Sequence, residues 1–101
     1  MNDRFLKTLG LARRAAKLCY GYDMTIAALW RAKVVFLSAD CAERTRKNIE
    51  AAAEEEKIPV VGLPWNKNDL GAAIGTKPVC IVSVLDDGFA GSLLKNIEGG
   101  K

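Results

Sequence analysis

Two kinds of residue in this chain are placed to act on a ligand: cations clustered beside backbone turns, and a glycine that opens one such turn. Arg13, Arg14 and Lys17 close the first amphipathic segment, and Arg44, Arg46 and Lys47 follow the turn at Ser38 to Asp40. Cations grouped in this way hold phosphate as readily as they complement the negative end of a helix dipole. Gly21 stands between a short β-like run, Leu18 to Tyr20, and a helical one beginning at Tyr22. Without a Cβ it admits an unusual backbone angle and lets a ligand approach the amides of the helix that follows. Tyr20 and Tyr22 flank it, and such rings stack on unpaired bases at roughly 1–3 kcal/mol per base in single-strand binders.

Acid–base chemistry has less to work with. Asp23, Asp40 and Asp86 all fall near expected helix starts, where a carboxylate ordinarily caps the free amides. The sequence contains no histidine, which removes the commonest general base and the Cys-His and Ser-His nucleophile schemes. Cys19, Cys41 and Cys80 are odd in number and widely spaced, with no Cys-x-x-Cys pair, so they read as reduced structural thiols rather than a zinc site or a disulfide framework. The expectation is a protein without catalytic residues, metal or cofactor.

The 101 residues, half of them hydrophobic, suffice for one domain with its own core. No apolar run approaches the roughly 18 residues of a membrane span, and Asp3, Arg4 and Lys7 interrupt any signal-peptide pattern; a cytoplasmic location without membrane association follows. The net charge of +3 is unevenly spread. Residues 1–48 hold ten Lys or Arg against four acids, whereas residues 49–101 hold five against eight. A basic half of this kind suits a polyanion on one side of the molecule.

The elements that must position these groups alternate along the chain. Asp3 to Lys17 reads as a helix with Phe5, Leu9, Ala12 and Ala16 in its apolar stripe. Leu18 to Tyr20 is a short strand, and a second helix runs from Tyr22 to about Arg31 with Ile26, Ala27, Leu29 and Trp30 on its apolar side. Val34 to Leu37, four consecutive apolar residues, suits a strand covered on both faces in the middle of a sheet. Asp40 and Glu43 have the spacing of a capping box for a third helix, from Cys41 to about Lys57. Pro59 to Leu63 gives a short buried strand. Asn66 and Asp69 cap a small helix, Lys67 to Ile74, which Gly75 ends. Val79 to Leu85 is the last strand and about Phe89 to Ile97 the last helix. Such alternation argues for an α/β/α sandwich with a mostly parallel sheet.

Several of these segments also resemble a known family. Ala32 to Asp40 with Glu43 to Lys47, Leu9 to Lys17, Leu70 to Gly75, and Asp87 to Ala90 are similar, in that family's order, to the motifs of bacterial YlxQ-like proteins. These form a branch of the superfamily that includes the kink-turn-binding ribosomal proteins. The resemblance covers essentially the whole chain. It implies a three-layer α/β/α sandwich whose four-stranded mixed sheet has its last strand antiparallel. It also implies non-catalytic RNA binding. Carried over by position, the RNA would meet Gly21, Tyr22, Asp23 and Met24, then Ala39 and Asp40, then Val84, Leu85 and Asp86, all three groups converging at one end of the sheet. Arg13, Arg14 and Lys17 would contact phosphates. Kink-turn readers carry Gly-Thr-Asn-Glu or Gly-Thr-Lys-Gln where this chain has Gly-Tyr-Asp-Met. Met24 cannot hydrogen-bond a guanine edge with any strength, and an ionised Asp23 cannot donate.

The function so implied is that of an accessory factor of the ribosome or of the transcription and translation machinery, binding structured RNA, kink-turns among the candidates. The alternative is a protein-interaction module that keeps the fold without the RNA site and turns Met24, Trp65 and the acidic loop at Asp86 toward a protein partner.

Overall fold

The computed structural model describes residues 3–99. Its elements are α1 (Asp3–Arg14), β1 (Leu18–Tyr20), α2 (Tyr22–Ala28) with a 3₁₀ turn (Leu29–Arg31), β2 (Val34–Leu37), α3 (Glu43–Glu55), β3 (Val60–Gly62), α4 (Lys67–Ile74), β4 (Ile81–Val84) and α5 (Asp87–Gly99). The strands form one sheet in the order β1-β4-β2-β3. All four residues of β2 are buried, as a doubly covered inner strand requires. β3, expected to be buried, is instead a half-exposed edge strand.

Only β2 and β3 pair in parallel, while β4 runs antiparallel to both of its neighbours. The mixed sheet implied by the resemblance is therefore present, and the mostly parallel sheet inferred from alternation is not. The cause lies in α4. Its eight residues span only about 12 Å, and the chain after it doubles back until the Val79 amide donates to the carbonyl of Lys67, at the start of that helix (3.1 Å). The chain thus enters β4 from the end where β3 finished.

Alternating side chains of the inner strands split the core in two. Val34, Phe36, Val82 and Val84 face Phe5 and Leu9 of α1, Leu70 and Ile74 of α4, and Leu93 of α5. Val35, Leu37 and Ile81 face Leu29, Ile49 and Ala53. Phe5 meets Phe36 edge-on at 5.1 Å and stacks on Trp65 at 5.0 Å. Trp65 is therefore a core residue, not one turned to a partner.

Three helix ends use a left-handed residue to satisfy their last carbonyls. Gly75 (φ 76°) does so for α4, whereas Ala16 (φ 60°) and Lys57 (φ 59°) do so for α1 and α3 without being glycine. Lys17 N–H donates to Ala12 and Ile58 N–H to Ala53, each at 2.9 Å, closing the motifs. This is why α1 stops three residues before Lys17 and leaves Ala16 exposed rather than in the apolar stripe.

The buried side of α2 also differs from expectation: Thr25, Ala28 and Leu29 face inward, while Ile26 and Ala27 are exposed and Trp30 is 73% exposed. The helix docks through a polar contact, Thr25 Oγ1 to Ser83 Oγ (3.3 Å). The 3₁₀ turn that follows has a tighter repeat, which turns Trp30 away from the core.

Candidate nucleic-acid interface

One end of the sheet gathers three backbone segments. β1 and β2 finish there, and β4 starts there. Gly21 N–H donates to Ile81 O (2.9 Å), Ser38 N–H to Cys80 O (2.9 Å), and Ala39 N–H to Trp65 O (2.7 Å). The rim so formed consists of Gly21 with the first turn of α2, the turn at 38–40, and the loop 75–80 that leads into β4.

Gly21 sits at φ 91° and ψ 161°, a region essentially restricted to glycine. Nothing lies within 4 Å of where its Cβ would be, so the backbone is open from above, and no side chain caps α2. Tyr22, Asp23 and Met24 are all exposed, Met24 at 59%. Tyr20 is engaged. The Arg13 guanidinium lies 5.2 Å from its ring centroid and 3.5 Å from its hydroxyl. The Thr76 hydroxyl, with the Arg13 charge second, pulls the phenol below its ordinary pKa. Of the two tyrosines, Tyr22 is the one whose ring is presented to solvent.

Ala39 and Asp40 are exposed at the second segment. Asp40 does not cap α3, which begins at Glu43 behind Ala42 with no side-chain cap. Its Oδ1 instead accepts from the Lys67 amide at 2.9 Å, so it fastens the start of α4 to the β2 turn. The Ser38 hydroxyl foremost, and the Lys67 amide after it, hold the Asp40 carboxyl below the usual carboxylate range. Ser38 Oγ is buried without a hydrogen bond of good geometry, so the Lys67 amide is the firm contact.

The third expected segment lies elsewhere. Leu85 N–H donates to Lys17 O (2.9 Å), and Lys33 N–H donates to Val84 O (2.7 Å). These bonds set Val84, Leu85, Asp86 and Lys17 at the opposite end of the sheet, the length of β4 away. Val84 is fully buried, and Asp86 Oδ2 accepts from the Phe89 amide (3.0 Å), capping α5. Because β4 runs antiparallel, the loop before it reaches the rim and the loop after it cannot. The rim residues that the sequence reading did not name are thus Thr76, Lys77, Pro78 and Val79. The signal was available, since an antiparallel last strand already reverses which of its flanking loops faces Gly21. The same separation takes Asp86 away from Asp40, and both carboxylates are occupied by helix amides. The three aspartates do not converge.

The basic residues divide likewise. Arg13 is partly buried and donates through Nη1 to Ile74 O (2.9 Å), joining the ends of α1 and α4 beneath the rim loop. Arg14 is exposed on α1. On α3, Arg46 pairs with Glu43 (2.7 Å) and Glu50 (3.6 Å), and Lys47 lies 3.9 Å from Glu43. That helix thus largely balances its own charge. Lys77 is the exposed cation of the rim loop.

All three cysteines are free thiols. Burial foremost, and Cys80 alongside, push the Cys41 thiol up to about 11. Cys41 therefore packs beside Cys80, between the β2 turn and the rim loop, as a neutral thiol of low reactivity.

The chain has relatives among known proteins. The chain is 33% identical over 99 residues to the RNA-binding protein YlxQ of Enterococcus faecium, covering 96% of this chain and 94% of that one. It is 34% identical over 92 residues to RNA-binding protein YlxQ of Bacillus subtilis, covering 89% and 91%. Among solved structures, a protein of unknown function from Bacillus halodurans superposes with a TM-score of 0.86 at 31% identity, over 94% of this chain and 97% of that one. The profile of one family matches residues 3–94, and this chain belongs to it: the ribosomal protein L7Ae/L30e/S12e/Gadd45 family.

Proposed function

We propose that this chain is a non-catalytic RNA-binding protein, an accessory of the ribosome or of the transcription and translation machinery, that receives structured RNA at the rim. The observation that carries the reading is the meeting of three exposed backbone segments at one sheet end, opened by a glycine whose Cβ position is empty. Family membership and the RNA-binding relatives support it. In this reading Gly21 admits the RNA backbone, Tyr22 stacks on a base, and Lys77 contacts a phosphate. Ala39 and Asp40 border the site, and Arg13 positions the loop from below. Asp23 and Met24 stand where the kink-turn readers carry polar side chains, so discrimination of G·A pairs is weak. Among the described residues no helix is long and apolar enough to cross a membrane, in keeping with action in the cytoplasm.

The test is a titration of the protein against a kink-turn RNA, the same RNA with its G·A pairs broken, and an unstructured RNA. Similar affinity for the first two and weaker affinity for the third is expected. Equal binding to all three, or none, would remove the proposal.

A protein partner is a second reading, favoured by Tyr22, Ile26 and Trp30, which follow one another at four-residue intervals and are all exposed. A partner that survives nuclease treatment and is lost with Trp30→Ala would establish it.

A further inference from the structure

The outer layer formed by α1 and α4 holds an open groove of about 610 Å³ that runs up to the rim loop. Its walls include Lys7, Leu11 and Arg14 from α1, Ala73 from α4 and Gly75 just beyond it. Its floor is shallow because the helices nearly touch: a Cβ on Gly10 would lie 2.7 Å from the carbonyl oxygen of Ala73. Among the described residues no carboxylate lines it. Lys7 and Arg14 are exposed and make no ion pair with any other described side chain. Between them Leu11 is 49% exposed.

We propose that this groove carries the backbone of a single-stranded RNA segment leaving the rim, with Lys7 and Arg14 on separate phosphates and Leu11 against a sugar between them. The proposal rests on RNA binding at the rim and adds a second contact region to it. Three features favour a strand over a small anion. The two cations stand seven residues apart, about 10.5 Å along the helix, so they meet separate phosphates rather than close on one group. The groove, walled on the α4 side by small residues, lies open to solvent rather than enclosed as a pocket for a small anion would be. The channel finishes at Gly75, where the rim loop starts, so one strand can pass from one to the other without a break. Such contacts are indifferent to base sequence.

The experiment compares two RNAs, a kinked stem-loop and the same stem-loop with ten-nucleotide single-stranded extensions at both ends. Each is titrated over a range of KCl against the wild-type protein, K7A/R14A and K77A. For the extended RNA, K7A/R14A should bind more weakly and lower the slope of log affinity against log salt by roughly 1.4, two contacts at about 0.7 each for a single strand. Its affinity for the short RNA should be unchanged, while K77A should weaken both. If K7A/R14A matches wild type on both RNAs while K77A weakens them, the groove proposal is overturned and the rim stands. Equal weakening on both RNAs overturns it as well. If K77A also changes nothing, the rim reading falls with it.

Discussion

Gly71 offers the sharpest test of how the rim loop is held. In an exposed helix, replacing glycine by alanine stabilises by about 1 kcal/mol, because alanine restricts the unfolded chain and suits the helix. Gly71 is buried within α4, and a Cβ there would stand 2.4 Å from the carbonyl oxygen of Lys77 and 2.9 Å from the Cα of Pro78. These are backbone atoms, so a rotamer change cannot relieve the contact. The loop would have to retreat by about 1 Å to reach ordinary separation. Doing so strains the bonds from Thr76 N–H to Gly71 O (2.8 Å) and from Val79 N–H to Lys67 O (3.1 Å). Overpacking of this kind costs about 1–3 kcal/mol. With backbone on both sides of the clash, the outcome should lie toward the upper part of that range. Gly71→Ala should therefore destabilise by about 1–2 kcal/mol net, lowering the melting temperature by roughly 5–10 °C, and should weaken RNA binding by displacing Lys77. The internal control is Gly91→Ala on α5, where a Cβ meets nothing within 4 Å; it should stabilise by about 0.5–1 kcal/mol. Thermal and urea denaturation followed by circular dichroism reads both. If Gly71→Ala stabilised as Gly91→Ala does, the close approach of α4 to the loop would be refuted.

Other consequences follow from the packing and the termini. Ala16→Gly and Lys57→Gly each relieve a left-handed conformation worth about 1–2 kcal/mol at an entropic cost of about 0.5–1. Each should raise stability by up to about 1 kcal/mol, and a loss in both by urea denaturation would contradict the left-handed helix ends. Phe5→Ala should cost about 3–5 kcal/mol, because Phe5 is fully buried between Phe36 and Trp65; a change below 1 kcal/mol would be inconsistent with that stack. With its pKa near 11, Cys41 should be alkylated at pH 8 roughly 10–20-fold more slowly than a thiol with the ordinary pKa near 8.5, the scarcity of thiolate outweighing its greater nucleophilicity, read by mass spectrometry of the labelled peptides. Because the unfolded thiol ionises first, Cys41 should also make the fold less stable as pH rises from about 8.5 toward 11. Labelling at the rate of a free thiol would show that it is not shielded.

What could be seen in the chain beforehand was what local chemistry decides. Val34 to Leu37 and Lys67 to Ile74 have the expected boundaries. In the first case four consecutive apolar residues have few alternatives, and in the second the Asn66–Asp69 capping box closes on itself (2.9 and 3.3 Å). Asp40 has the same spacing to Glu43, yet its partner is Lys67, 27 residues away, and no local pattern indicates such a bond. Ile26 and Trp30 misled because α2 is too short to bury a full stripe and docks through the Thr25 hydroxyl. The candidate site followed the same division. Gly21, Tyr22, Asp23, Met24, Ala39 and Asp40 belong to turns that the sequence locates, and they share an end of the sheet. Val84 to Asp86 lie past the far end of β4, because that strand runs antiparallel to its neighbours, a direction the resemblance already implied and residue patterns alone do not reveal.

The most direct measurement is a set of ¹H–¹⁵N amide spectra of the protein recorded as a structured RNA is added. The amides of Gly21 to Met24, of Ala39 and Asp40, and of Thr76, Lys77, Val79 and Cys80 should shift or broaden together at substoichiometric RNA, while those of Leu85 to Asp87 remain in place. Perturbations centred on Leu85 to Asp87, or spread without regard to either end, would contradict the claim that this rim receives the RNA.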